Sequence, residues 1–343
     1  MSGFAEIETD ENELVPRDEI NDAPGKFSWN PVDWFKEFYA DFQTEGWKIT
    51  EKRRVLLRAV FGEGLCTFLF LFIVEATSVN NSRQASPENL TLACVSTAFC
   101  SIALIYSFAD VSGAHFNPAV TFATIVTGKV SLRKGLAFWA IQLFASIWST
   151  IALYIVYPGP PTNYNTIAES VVVDVADDAK LLNAFFMEII LTFVLVYVIF
   201  ATAFDTVDTG NNVKVKEGKG KGQQQDDSVG RSLTIYTTSG TTKAGFAPFA
   251  IGFTLGFLGL IGGSVSGGAY NPARVFGPAL ISGKWGHHWV YWIGDFIGAG
   301  LAGWAQHFFA HEAQQSSGAS ARSNKAARQE QEELRMKEIE NRA

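Results

Sequence analysis

Charge is scarce in this 343-residue chain: Asp, Glu, Lys and Arg together make up 18%, against 48% apolar residues. What charge there is falls into a few blocks and leaves six long stretches almost bare. The length alone would suggest two soluble domains, but such domains need charge distributed over their surfaces, so that reading fails. Cysteine is scarcer still. Cys66, Cys94 and Cys100 all stand inside apolar stretches, without Cys-x-x-Cys spacing, which excludes a disulfide-rich module and supplies no grouped metal ligands. Neither a metal nor a cofactor is expected. No nucleophile–base pairing is evident, and His287-His288 reads as an interfacial pair, so an enzyme is not expected. The net charge of −7 is concentrated at one end, where residues 1–25 hold eight acidic residues against Arg17 alone. Nothing resembles a basic surface for nucleic acid.

What is present is six runs of apolar residues, at about 55–79, 90–109, 135–157, 181–204, 244–265 and 288–309. A helix needs about 20 apolar residues to cross a hydrocarbon core. The expected fold is therefore an all-α membrane protein in a lipid bilayer. Lys52, Arg53, Arg54 and Arg58 precede the first run, and Lys129, Arg133 and Lys134 precede the third. The loop 158–180 instead carries Glu169, Asp174, Asp177 and Asp178 with Lys180. The positive-inside rule then puts both termini in the cytoplasm, with the plasma membrane as the expected location. Two glycosylation sequons, Asn80-Asn81-Ser82 and Asn89-Leu90-Thr91, fall in the outer loop after the first span.

Three polar segments flank or interrupt the expected membrane domain, residues 51–310. Residues 1–50 read as a cytoplasmic tail, too polar for a cleaved signal peptide. Within it Trp29, Trp34, Phe35, Phe38, Tyr39, Phe42 and Trp47 recur over 28–47, the pattern of an interfacial helix or of a cytoplasmic plug. Residues 205–243 form a Gly- and Lys-containing loop with disordered composition, in which Ser228 and Ser232 lie beside Arg231. Residues 311–343 form a charged cytoplasmic tail.

The most informative feature is an internal repeat. Glu63 and Thr67 in the first span match Glu188 and Thr192 in the fourth. Downstream of each pair comes a glycine-rich turn ending in Asn-Pro-Ala: Ser112 to Ala119, with Asn117, Pro118 and Ala119, and Ser266 to Ala273, with Asn271, Pro272 and Ala273. Repeat one covers about 55–157 and repeat two about 181–309. Each holds three spans, an odd number, so the second copy enters from the opposite face and the repeats are inverted. Each Asn-Pro-Ala opens an apolar segment, 117–127 or 271–281, half as long as a crossing. Asn is a favoured N-cap and Pro a favoured first helical residue, so each motif starts a re-entrant half-helix. Two such starts near the midplane direct their free amides and positive dipole ends at one point, the natural pore.

These motifs resemble those of the aquaporin and aquaglyceroporin family, over roughly residues 55–309. The resemblance implies a passive channel for water and small neutral solutes that excludes protons and ions, assembled as a homotetramer with one pore per subunit. It implies that Asn117 and Asn271 donate hydrogen bonds to the passing molecule and that His115 stands in the vestibule. Arg274, directly after the second motif, matches the arginine of the family's outer constriction. Glu63 and Glu188 match carboxylates that accept hydrogen bonds from the re-entrant backbone. The other filter positions correspond to Thr97, Gly259 and Gly268. Small residues there imply a wide opening suited to glycerol or hydrogen peroxide as well as water. Val275, where the glycerol branch has an acid, and Tyr291-Trp292 point instead to a water-only channel. No cysteine occupies a filter position, so little direct block by mercury is expected. A proton-coupled transporter would need titrating membrane carboxylates, and Glu63, Glu75, Glu188 and Asp295 are available. The family pattern accounts for neither Glu75 nor Asp295. For Asp295 a neighbouring subunit or an unidentified partner is the expectation.

Overall fold

A backbone surrounded by hydrocarbon has no water to bond, and a helix satisfies its N–H and C=O groups within one segment. The computed structural model describes residues 51–84, 89–204, 243–306 and 308–309, and most of these are helical. In order they form α1 (Glu51–Gln84), α2 (Asn89–Phe108), α3 (Pro118–Val126) and α4 (Leu132–Val156). A 3-10 turn at Ala168–Val171 follows, then α5 (Leu181–Ile199), closed by a π turn at Phe200–Phe204. Next come α6 (Lys243–Gly262), α7 (Pro272–Ser282) and α8 (289–306). Among the described residues there is no strand. The helices α1, α2, α4, α5 and α6 are long and apolar enough to cross a membrane, and α8 is the sixth. The 9-residue α3 and 11-residue α7 are about half the length a crossing needs.

The core gathers around the half-helices, where Phe70, Ile105, Val120, Leu195 and Leu255 pack into one cluster. Phe61, Phe99, Phe186, Phe253 and Trp304 lie exposed on the outside, as a surface meeting lipid requires. Small residues let α2 and α6 approach closely: a Cβ at Gly256 would come 2.8 Å from that of Ala98.

Two expectations change. The first helix continues to Gln84 instead of ending near 79, so Asn80 lies inside α1, where its Oδ1 accepts a 3.2 Å bond from Gln84 Nε2. Asn89 is the first residue of α2, and Asn81 Nδ2 donates to its carbonyl at 3.0 Å. Both sequons therefore sit on hydrogen-bonded helix ends, not in an open loop. The aromatic segment 28–47, Ser228, Ser232, the loop 205–242 and the tail 311–343 lie outside the described residues.

Candidate functional site

The two half-helices start with the same geometry. Asn117 has φ −153° and ψ 119°, and Asn271 has φ −156° and ψ 104°. Each caps its helix by accepting at Oδ1, from Ala119 N at 2.8 Å and from Ala273 N at 3.0 Å. The preceding turns also correspond. Gly113 and Gly267, then Ala114 and Gly268, take positive φ, and Phe116 and Tyr270 share a φ of 34°. A non-glycine residue in that region costs about 1–2 kcal/mol, so the turns must be held from outside.

Buried carboxylates hold them. Glu63 accepts from the His115 amide at 3.2 Å and, through its other oxygen, from the amide of Phe116. Glu188 accepts from Ala269 N at 3.1 Å, Tyr270 N at 2.6 Å and Ser266 Oγ at 2.5 Å. Thr67 bonds the Glu63 carbonyl of its own helix, whereas Thr192 Oγ1 donates across to Asp295 Oδ1 at 3.1 Å. A third helix braces Glu63. Gln142 Nε2 on α4 donates to Glu63 Oε1 at 2.9 Å and to Thr121 Oγ1 at 3.0 Å. Neither Gln142 nor its role was singled out from the sequence, although the signal is there. Phe138-Trp139-Ala140-Ile141-Gln142 follows the first motif at nearly the distance that Tyr291-Trp292-Ile293-Gly294-Asp295 follows the second.

The tips meet crosswise. Asn117 Nδ2 donates to the Tyr270 carbonyl at 2.7 Å, and Asn271 Nδ2 donates to the Phe116 carbonyl at 3.0 Å. Each side-chain amide carries two N–H groups, so each retains one beyond this bond. A vestibule of about 400 Å³ opens beside the tips, lined among others by His115, Phe116, Asn117, Leu195, Phe204 and Leu255. His115 Nδ1 lies 3.0 Å from Thr121 Oγ1, and its ring meets Phe138 edge-on.

On the other side of the tips, α7 is pinned to α4 by Ser146, whose hydroxyl donates to the Ala273 carbonyl and accepts from Gly277 N at 2.8 Å. Ser149 bonds the Ser146 carbonyl at 2.8 Å and, with Thr150 (3.2 Å), the carboxyl of Glu75. Glu75 thus anchors α1 to the helix that carries α7. Arg274 Nη1 donates to the Val171 carbonyl at 2.8 Å, tying the 158–180 loop over this end. That loop is also held by Ala176 N bonded to Val265 O at 3.0 Å and by a Lys284–Glu169 ion pair at 3.5 Å.

Of the filter positions, Gly259 and Gly268 come together, since a Cβ on Gly268 would lie 3.5 Å from the Gly259 Cα. The space beside Gly259 is occupied, however. A Cβ there would lie 2.7 Å from Cys94 Sγ and 3.5 Å from Tyr270 Oη, which itself donates to Leu255 O at 2.8 Å. A side chain at Gly259 would therefore have no free room on that side, and a cysteine stands beside this position. Thr97 is buried on α2 with its hydroxyl bonded to the Ala93 carbonyl at 2.8 Å. Asp295 is fully buried within the protomer, so a neighbouring subunit is not its partner.

Membrane-length helices arranged as an inverted repeat, with two capped half-helices meeting tip to tip, define a membrane channel protein. Comparisons with known proteins agree. The family model for the major intrinsic proteins matches residues 50–214 and 231–306. The chain is 58% identical over 260 residues to Aquaporin-B of Dictyostelium discoideum, covering 76% of this chain and 85% of the relative. It is 33% identical over 257 residues to a probable aquaporin, TIP3-2, of Arabidopsis thaliana, covering 72% and 81%. Among solved structures, the aquaglyceroporin from Plasmodium falciparum shares the fold, with a TM-score of 0.57 at 22% identity over 74% of this chain and 96% of that one. The chain belongs to the major intrinsic protein family, the aquaporins and aquaglyceroporins.

Proposed function

We propose that this protein is a passive channel for water and small neutral solutes such as glycerol and hydrogen peroxide, closed to protons and ions. The observation that carries this reading is the crossed pair of bonds from Asn117 and Asn271. It sets two helix N-termini against each other and leaves one N–H on each amide for a passing oxygen. A water held by two donors turns both its hydrogens away, which breaks the wire along which a proton would hop. The facing positive dipole ends add a barrier to cations. Arg274, with Thr97, Gly259 and Gly268, forms the filter, and His115 lines the vestibule on the opposite side of the tips. Both termini face the cytoplasm of the plasma membrane, as Arg53, Arg54, Arg58 and Arg133 support, and four copies assemble.

A water-only channel is the second reading. The Cys94 thiol and Tyr270 hydroxyl filling the room beside Gly259 favour it, because they narrow what a glycine would leave open. Proton coupling finds less support, since Glu63 and Glu188 are engaged by backbone amides. Parallel light-scattering measurements of water and glycerol flux, with a peroxide assay, in proteoliposomes of purified protein test these readings. Flux of all three above empty vesicles supports the broad channel. Water flux with glycerol flux equal to empty vesicles supports the narrow one. Saturating flux driven by a pH gradient overturns both.

A further inference from the structure

Asp295, like Glu75, is a buried carboxyl that the family pattern does not account for, but unlike Glu75 it is not met by hydroxyls on both oxygens. It lies at 0% exposure on α8, with Oδ1 accepting from Thr192 and Oδ2 reached by no donor among the described residues. Thr192 stands one turn after Glu188 on the same face of α5, so Asp295 faces the residue that holds the second re-entrant turn. Small residues create this approach: Gly294 packs on the Cβ of Glu188, and Gly298 packs on the backbone of Ile189 and Phe193, bringing α8 against α5. Two ionised carboxylates touching in a dry interior repel strongly. A bare anionic oxygen there is costly as well. The first repeat shows how the same place is filled without that conflict. Gln142, at the corresponding position, donates from Nε2 to Glu63, and its Oε1 is the other buried side-chain atom without a partner among the described residues. An aspartic acid reproduces that arrangement only when it carries a proton.

We propose that Asp295 is a neutral carboxylic acid whose O–H donates to the Glu188 carboxylate, serving as the second repeat's counterpart of Gln142. It is a positioning residue: it braces Glu188, which in turn holds the Ala269 and Tyr270 amides that set the Asn271 tip. The ionisable groups facing Asp295 are Glu188 on α5 and Tyr291 on its own helix, and neither brings a positive charge to stabilise an ionised form. The idea does not depend on which solute crosses.

Infrared spectroscopy of the full-length protein in lipid tests it, because a protonated carboxyl has a carbonyl stretch separate from that of carboxylates. At about pH 8, where ordinary aspartates are ionised, the wild type should retain an acid band that shifts on carbon-13 labelling of aspartate and is missing in Asp295→Asn. Asp295→Asn, which keeps a donor, should retain water flux within about twofold, since swaps that preserve a hydrogen bond are nearly neutral. Asp295→Leu should lower the melting temperature and the flux. Absence of an aspartate-derived acid band in the labelled wild type overturns the proposal even if neither variant folds. Equal loss of flux in the Asn and Leu variants also overturns it. Lack of water flux in the wild type bears on the channel reading alone.

Discussion

Asn117 and Asn271 are joined through each other's neighbours: each side-chain amide bonds the carbonyl of the residue just before the other asparagine, at 2.7 and 3.0 Å. The arrangement is reciprocal, so the position of each half-helix determines that of the other. It also uses the carbonyls of Phe116 and Tyr270, the two residues held at φ 34°.

Replacing Asn271 with Ala removes both the bond to Phe116 and the cap on Ala273. Loss of such a cap costs about 1 kcal/mol, and an unpaired buried carbonyl adds about 1–3 kcal/mol. The variant should melt earlier than the wild type and pass water more slowly per folded channel in stopped-flow light scattering. Wild-type flux with an unchanged melting temperature would show that the crossed bonds are dispensable.

Glu63→Gln presents an amide N–H where the His115 and Phe116 amides, or Gln142, expect an acceptor. Hydrogen bonds to a charged group contribute about 1.5–3 kcal/mol. Thermal unfolding in detergent should therefore show a clear loss of stability, and channels that do fold should keep the wild-type ratio of water to glycerol flux. A changed ratio at unchanged stability would assign Glu63 to selectivity instead.

A histidine at Gly259 cannot simply narrow the filter, because its Cβ would meet the Cys94 sulfur at 2.7 Å. Gly259→His alone should express poorly, and pairing it with Cys94→Ala should recover folded protein. In the double variant glycerol flux should fall before water flux. If the single variant is as stable as the wild type, the packing beside Gly259 differs from that described.

Acid should loosen the 158–180 loop. The Glu169 carboxyl accepts from the Asn165 amide at 3.0 Å and pairs with Lys284, and these contacts hold its pKa below the ordinary glutamate value. A depressed carboxylate pKa gives stabilisation that is present above the unfolded value and lost as pH falls through the folded one. Hydrogen exchange over residues 165–171 should rise between about pH 7 and about pH 3, beyond the intrinsic chemical trend. Glu169→Gln should remove that step, and a step that persists in the variant would place its origin elsewhere.

The span count, the two half-helices and the glutamates that serve them were legible in the residues, because each rests on local rules. Apolar run length sets a crossing, and Asn-Pro sets a helix start. Less was legible wherever a conclusion needs contact between distant segments. The three small residues do not reveal that Cys94 and Tyr270 stand beside Gly259, because those two belong to other elements. Asp295 seemed to need an outside partner because its two neighbours on α5 lie about a hundred residues away in the chain.

By itself the sequence determined that this protein is an inverted helical repeat in a membrane, with two motifs that break its helices inside the bilayer. Backbone hydrogen bonding in hydrocarbon admits few other solutions for such runs. Only the tertiary structure decided that Gln142 closes the ring around the first motif, that Asp295 is buried against Thr192 beside the second, and what stands beside Gly259. Those outcomes depend on close packing between helices, where a single methyl group determines which atoms can touch.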